Sequence, residues 1–247
     1  MSKIVQCVPN FSEGRDLTKV EEIVSVLKNK EGFNLVSYEP DGDYNRTVVT
    51  LLGDPLKIID ALVEFTGKVL ESIDMNVQSG EHPRMGAVDV IPFIPIQDVT
   101  MEECVVYANS VAKRINTEYN IPIFMYAEAA NVKKRVKLPN IRKGEFEGMK
   151  DKIKLPEWAP DYGRPEIHPT FGVIGIGARI PLVAYNIDLD SEDTKKAGNI
   201  AKWIRYSSGG FRHVQAGPVF LDTRGHVQVT MNILDYKKNP IYRILEH

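Results

Sequence analysis

A short loop bounded by two glycines carries three side chains that can do acid–base and ionic chemistry. It reads Gly80-Glu81-His82-Pro83-Arg84-Met85-Gly86. Pro83 biases the backbone of His82 toward an extended conformation, so the loop does not simply prolong a preceding helix. Histidine changes charge near neutral pH and suits general-base work, and Arg84 can grip a carboxylate bidentately. In the alternative interpretation the loop is solvated, and Glu81 and Arg84 only neutralise each other.

Two earlier stretches, residues 8–15 and 41–47, also place polar side chains beside predicted strands. The first follows a strand and precedes a helix N-terminus, a position suited to polar ligands. For each stretch, a capped turn or a hydrophilic loop is the alternative explanation. The side chains concerned are Asn10, Ser12 and Glu13 in the first stretch and Asn45 and Arg46 in the second.

An aromatic stretch rich in proline and glycine covers residues 158–179. Its rings can form a flat pocket for a ring system, or they pack at a domain junction. Gly172, Gly175 and Gly177 lie in a strand-like run and lack the spacing of a dinucleotide-binding fingerprint. Binding of a dinucleotide is therefore disfavoured.

The other histidines and the cysteines do not indicate a metal site. His168 lines the pocket of the aromatic stretch or its rim, whereas His213 and His226 have a strand or hairpin context typical of structural residues. No histidine pair has metal-ligand spacing, and neither Cys7 nor Cys104 belongs to a C-x-x-C pair. We therefore predict that the protein uses no metal.

The elements that must position these residues predict an α+β fold. The first half follows the order β-α-β-β-α-β, the ferredoxin-like or split βαβ arrangement. Asp16 and Asp54 are predicted to cap its two helices, the first of which should end at Gly32. The predicted strands are residues 4–8, 33–38, 47–52 and 87–96, the last one broken by Pro92 and Pro95.

Three more segments follow before the second half. Thr100 and Glu103 have the spacing of a capping box at the start of a further helix. A strand is predicted at residues 121–127, and the polar, proline-interrupted residues 137–161 are predicted to be a connector.

The second half predicts the order β-α-β-β-α, with Ser191 as a helix cap and a hairpin of residues 214–221 and 227–234. We expect a second ferredoxin-like subdomain that lacks its C-terminal end, because an unfinished sheet exposes an edge strand. The predicted subdomains are residues 1–178, which hold the His82 loop, and residues 179–247.

Composition excludes several classes of protein. The 247 residues carry 31 basic and 33 acidic side chains, a balance that argues against a general nucleic-acid binder. No apolar stretch approaches the roughly 20 residues of a membrane span. The N-terminus enters a strand-like run without the apolar segment of a signal peptide. We expect a cytoplasmic protein with no membrane or nucleic-acid partner.

Taken together, the motifs resemble the formiminotransferase family, the folate-binding part of formiminotransferase-cyclodeaminase. The similarity covers nearly the whole chain in the same order, and the first and third of its five blocks are long enough to be highly specific. The blocks are Cys7-Val8-Pro9-Asn10-Phe11-Ser12-Glu13-Gly14, Asn45-Arg46-Thr47-Val48, Gly80-Glu81-His82-Pro83-Arg84-Met85-Gly86-Ala87, Pro92-Phe93-Ile94-Pro95 and Trp158-Ala159-Pro160-Asp161-Tyr162-Gly163.

The resemblance implies two α/β subdomains with folate between them, and formimino transfer between 5-formiminotetrahydrofolate and L-glutamate. It places the catalytic histidine at His82 and makes a tetrahydrofolate derivative the co-substrate. Phe171 stands where the family has tryptophan, so the aromatic character is kept. The folate-contacting segment falls on Gly163, Arg164, Pro165, Glu166, Ile167, His168, Pro169, Thr170, Phe171 and Gly172.

Several questions stay open at this point. Arg46, Arg84 or Arg179 can hold the carboxylates of glutamate or of the folate tail, and Glu81 can orient the imidazole or bind an amino group. A glutamate formyltransferase using 5-formyltetrahydrofolate would need the same base and pocket. A catalytically silent folate-binding module and an RNA-binding sheet are alternatives of other classes. The resemblance also favours a homodimer.

Overall fold

The computed structural model describes residues 2–247 and divides the chain into two compact units, Met1–Arg179 and Ile180–His247. Each unit combines helices with an antiparallel or mixed sheet, which confirms the predicted α+β class. No helix within residues 2–247 combines the length and the apolar character needed to cross a membrane.

The first unit is built on a seven-stranded sheet. The elements of this unit are β1 (Ile4–Cys7), β2 (Asn10–Phe11), α1 (Leu17–Ser25), β3 (Phe33–Asp41), β4 (Arg46–Gly53), α2 (Pro55–Ser72), β5 (Val88–Gln97), α3 (Met101–Tyr119), β6 (Ile123–Ala127), α4 (Leu138–Arg142), α5 (Glu145–Lys152) and β7 (Ile174–Ala178). In the sheet β1 pairs antiparallel with both β4 and β5, β3 pairs antiparallel with β4, and β7 pairs parallel with β5 and β6.

Both faces of this sheet are covered. Successive residues of a strand point to opposite faces, and β6 shows the two sides directly. Ile123 and Met125 belong to the main core under α1, α2 and α3. Phe124 and Tyr126 belong to a second apolar cluster with residues of α4 and α5, among them Ile141 and Met149. This second layer lies on the face that also carries the candidate site.

In the first unit the predicted helix caps are confirmed, whereas one predicted helix end is wrong. Asp54 accepts from the N–H of Leu56, with proline at the first helical position, and Thr100 forms the capping box with Glu103. Helix α1 ends at Ser25 rather than near Gly32. Turns follow it, and Asn29 takes a φ of +55°, the left-handed conformation that stops a helical path.

Two predictions about the middle of the chain are also wrong. The expected connector contains the short helices α4 and α5, which are stabilised by packing against the sheet rather than by long apolar periodicity. Strand β5 runs through both prolines, and Pro92 is in register with Gly177 while Pro95 is in register with Val5. A proline removes only its own N–H from the ladder, so the strand continues.

The second unit follows the predicted order β-α-β-β-α. Its elements are β8 (Val183–Asp188), α6 (Thr194–Ile204), β9 (Val214–Leu221), β10 (His226–Ile233) and α7 (Ile241–Leu245). The sheet has the antiparallel order β8-β10-β9, and α6 packs against β9 and β10 through Ala197, Ala201 and Ile204. The predicted cap is wrong by two residues: Asp193 accepts from N–H groups in the first turn of α6, and Ser191 Oγ accepts from Asp193 N instead.

Candidate functional site

The His82 loop is docked on the turn between β3 and β4. The N–H of Glu81 donates to Asp43 O over 3.2 Å, and the N–H of His82 donates to Tyr44 O over 3.3 Å. Gly80 lies so close to this turn that a Cβ would stand 2.5 Å from Tyr44 O. The backbone of the loop is therefore held where its glycine allows close approach, and the side chain of Glu81 remains exposed.

Asn45 joins this loop to the turn after β2. Its backbone has a φ of +47°, a conformation that asparagine tolerates better than most residues. Its Oδ1 accepts from Gly14 N over 3.0 Å, and its Nδ2 donates to Ser79 O over 2.7 Å. Because Asn45 is also buried, its amide is used within the protein and ties two of the predicted stretches together.

The polar residues after β1 also bond within the protein. Ser12 Oγ donates to Gly86 O over 2.9 Å, and the Nδ2 of Asn10 donates to Val8 O over 3.0 Å. The Glu13 Oε1 accepts from three consecutive backbone N–H groups just before α1, those of residues 14, 15 and 16. Of the three side chains predicted to bind substrate, Ser12 thus bonds to the His82 loop, and Asn10 and Glu13 order the chain around them.

The imidazole of His82 is almost completely buried, with 5% of the residue exposed. Its Nδ1 has no hydrogen-bond partner among residues 2–247. Burial, followed by the positive charges of Arg142, Arg46 and Arg84, holds the pKa of His82 well below its usual range. The ring is therefore neutral at neutral pH and able to accept a proton.

Two of these three guanidinium groups are paired with carboxylates. Arg84 donates to Glu145 over 2.7 Å and to Glu147 over 2.9 Å, both on α5. Arg142 Nε donates to the Asp89 Oδ2 over 3.0 Å, and the other oxygen of this fully buried carboxylate accepts from a backbone N–H in the His82 loop. Arg142 was missed in the sequence because it lies in the segment predicted to be a connector.

Arg46 has a different environment. Its guanidinium carbon lies 5.3 Å from the centre of the Tyr44 ring, and its Nε is buried without a hydrogen-bond partner among the described residues. Burial lowers the pKa of Arg46, although the group remains a cation at any physiological pH.

The segment of residues 163–172 borders a separate cleft of about 560 Å³. Asn116 and Asn120 at the end of α3 complete its lining, and no residue of the His82 loop takes part. His168 lines the cleft while its Nδ1 accepts from the Phe171 N–H over 3.2 Å. The Phe171 ring itself is fully buried in the main core.

The far end of this segment is nevertheless fixed to the His82 loop. Gly86 and Gly172 form an isolated antiparallel bridge, and the N–H of Val173 donates to Met85 O over 3.2 Å. A Cβ on Gly86 would lie 2.2 Å from Val173 O. The two groups of predicted site residues are thus connected through backbone contacts, although no residue of the His82 loop lines the cleft beside residues 163–172.

The aromatic block before residue 163 is part of the framework. Trp158 lies between two lysines, with Lys134 Nζ 4.6 Å and Lys152 Nζ 4.0 Å from its ring centre. Asp161 forms a buried ion pair of 2.9 Å with Arg135. Within residues 2–247 there is no group of three His, Cys, Asp or Glu side chains arranged to hold a metal ion.

Comparisons with known proteins show which family the chain is similar to. The family model for the formiminotransferase domain, N-terminal subdomain, matches residues 4–179, and the model for the formiminotransferase domain matches residues 184–247. A glutamate formimidoyltransferase of Streptococcus pyogenes serotype M1 is 46% identical over the whole chain and 82% of its own length.

More distant relatives agree with this match. A protein of the same name from Thermoplasma acidophilum is 41% identical over 98% of the chain and 80% of its own length. A formimidoyltransferase-cyclodeaminase of Gallus gallus is 38% identical over the whole chain, which spans 46% of that relative.

Proposed function

The chain belongs to the formiminotransferase family, and from that premise we propose that it is a glutamate formimidoyltransferase. It moves the formimino group between 5-formiminotetrahydrofolate and L-glutamate, with His82 as the general base. The observation that carries this assignment is the buried, neutral imidazole of His82 in a loop bordered by glycines. The identity with named glutamate formimidoyltransferases over the whole chain supports the reaction.

The chemistry follows from this assignment. With glutamate as the acceptor, its amine nitrogen attacks the amidine carbon of the folate donor and gives up a proton to His82. The tetrahedral intermediate then collapses, the bond from the carbon to the folate nitrogen breaks, and that nitrogen takes the proton back from His82. General base catalysis of this kind contributes about 10²–10⁴-fold.

We assign the folate co-substrate to the segment of residues 163–172. The adjoining cleft of about 560 Å³ is within the size range of small-molecule sites. Asn116, Asn120 and His168 supply polar groups at its wall. The bridge between Gly86 and Gly172 gives the segment a fixed position relative to the loop that carries the base.

A donor comparison tests the reaction. Purified protein is assayed with L-glutamate and either 5-formimino- or 5-formyltetrahydrofolate, and N-formimino-L-glutamate or N-formyl-L-glutamate is quantified. We expect turnover with the formimino donor. Turnover with the formyl donor alone indicates a glutamate formyltransferase, and folate binding without turnover of either donor indicates a silent binding module. Either result contradicts the proposal.

A further inference from the structure

The positive charges around His82 are unequally compensated. Arg84 is matched by two glutamates and Arg142 by Asp89. Arg46, by contrast, makes no salt bridge to a carboxylate anywhere within residues 2–247, and its buried Nε has no hydrogen-bond partner there. Burying a cationic donor without an anionic partner costs free energy, and a bound anionic ligand removes this cost by supplying the missing hydrogen bonds.

We propose that Arg46 binds a carboxylate of the amino-acid substrate and that Arg142, held in place by Asp89, forms the second wall of this subsite. The inference rests on the proposed function, because it takes L-glutamate as the ligand. It favours Arg46 over Arg84 and adds Arg142, which the sequence did not indicate.

Arg84 is less suited to this role because both of its terminal nitrogens are already bonded, although its buried Nε, like that of Arg46, has no hydrogen-bond partner among the described residues. Its two terminal nitrogens contact Glu145, Glu147 and the carbonyl oxygen of Gln78 over 2.7–3.0 Å. A substrate carboxylate would have to displace two carboxylates that belong to the fold. Arg84 therefore anchors α5 to the His82 loop.

Arg142 is held rigidly enough to form part of a binding site. Asp89 is fully buried and accepts from its guanidinium, as described above. The short helix α4 that carries Arg142 is closed at its C-terminal end by Lys152, whose Nζ donates to the carbonyl oxygens of Asn140 and Ile141 over 2.7 and 2.8 Å. A preformed wall of this kind loses little conformational entropy when a ligand binds.

Binding of a carboxylate at Arg46 has a consequence for the base. The groups that face His82 are Arg142 on α4, Arg46 on β4 and Arg84 on its own loop, all of which lower its pKa. An anion brought to Arg46 opposes this effect and raises the pKa of His82. The substrate thereby makes the imidazole a stronger base only when it is bound.

Acidic and phenolic groups compensate part of the charge of the three arginines. Glu145 and Glu147 on α5 neutralise Arg84. Asp89 on β5 neutralises Arg142 and also acts on Arg46, and Asp41 and Tyr44 before β4 act on Arg46 as well. Even with these groups present, the pKa of His82 stays well below its usual range.

The variant Arg46→Gln tests the subsite. We expect its KM for L-glutamate to rise about 10- to 100-fold, the loss typical of a hydrogen bond to a charged group. Its KM for the folate donor should change less than about twofold. Arg114→Gln is the matched control, because Arg114 is an exposed arginine of α3 paired with Asp60. We expect wild-type values for this control.

The pH dependence supplies a readout that a purely structural role would not change. The kcat/KM profile reports the free enzyme and kcat reports the complex, so the acid limb should lie at higher pH for kcat than for kcat/KM. In Arg46→Gln the limb for kcat/KM should move to higher pH, since a positive charge is lost. If Arg46→Gln unfolds, Arg46→Lys replaces it in the test. This variant keeps the positive charge, so its KM for L-glutamate should also rise, but by less.

The outcomes separate the two proposals. An unchanged KM for glutamate, or a rise confined to the folate donor, overturns the assignment of Arg46 while leaving formimino transfer intact. The second result would mean that Arg46 binds a carboxylate of the folate tail. Absence of formimino transfer by the wild-type protein contradicts the proposed function itself, whatever Arg46 does.

Discussion

At the scale of single residues, the environment of His82 decides its protonation state. Burial is the first cause of its lowered pKa, and three arginines add to it. A histidine of this type is neutral in the folded protein and binds a proton more readily in the unfolded chain. Stability therefore falls as the pH drops through about 6.5, the usual pKa of histidine. The contribution of His82 to stability is therefore largest above this pH, where the imidazole is neutral in both the folded and the unfolded chain.

Asn45 holds the His82 loop rather than the substrate, which gives a prediction. Asn45→Ala removes two buried hydrogen bonds and puts alanine at a φ of +47°. We expect a loss of about 2–4 kcal/mol in the free energy of unfolding. We also expect kcat to fall about tenfold or more with little change in either KM, because the base is misplaced. Denaturant unfolding and steady-state kinetics measure these effects.

Asn29→Ala is the control for backbone strain in that experiment. Asn29 has a φ of +55° but is exposed. The Asn29→Ala variant should lose only about 1–2 kcal/mol in the free energy of unfolding, because alanine disfavours the left-handed conformation, and it should keep the wild-type kcat. If both variants lose the same stability and keep the same kcat, the hydrogen bonds of Asn45 do not position the loop.

At the scale of elements, the bridge between the His82 loop and the segment before β7 depends on a glycine. Gly86→Ala would place its Cβ 2.2 Å from Val173 O and 2.8 Å from Phe171 O. We expect a destabilisation of about 1–3 kcal/mol or more, because close-packed backbone cannot absorb the added methyl group. Thermal unfolding monitored by circular dichroism measures this loss.

Gly148→Ala is the matched glycine substitution within α5. A Cβ at Gly148 would meet no atom within 4 Å, and alanine favours a helix over glycine by about 0.5–1 kcal/mol. This variant should therefore be slightly more stable than the wild type. A Gly86→Ala variant as stable as Gly148→Ala would show that the bridge is not tightly packed.

Elements with strong local signals were predicted well, and elements that depend on packing were not. The caps at Asp54 and Thr100 follow from side chains that bond to their own helix ends. Helix α4 has five residues, too few to show a period, and packing of Ile141 beneath the sheet stabilises it. Arg142 was missed for the same reason, since its approach to His82 is a tertiary contact.

In the candidate site, too, residue types could be read from the sequence, whereas their contacts could not. The sequence singled out His82, and the structure adds the burial that lowers the pKa of its imidazole. The sequence also proposed Asn45, Ser12 and Glu13 as ligand-binding residues, and the structure shows their polar groups bonded within the protein. Residue type alone cannot distinguish a side chain that binds a ligand from one that orders a loop.

At the scale of the whole molecule, each unit buries an apolar core of its own. The main core and the second cluster lie within residues 5–178, and a third cluster lies within residues 183–244. The 31 basic and 33 acidic residues leave the chain with a net charge of −2. Positive charge is instead concentrated locally, in Arg46, Arg84 and Arg142 around the imidazole of His82.

The most direct measurement of the central claim compares His82→Ala with the wild-type protein. Formimino transfer to L-glutamate is followed in both, and binding of the folate donor is measured by calorimetry. We predict that the variant loses about 10²–10⁴-fold in kcat, because the general base is gone, while the Kd for folate stays within about twofold of the wild-type value, since the cleft is lined by other residues. Turnover by the variant at the wild-type rate would contradict the assignment of His82 as the base.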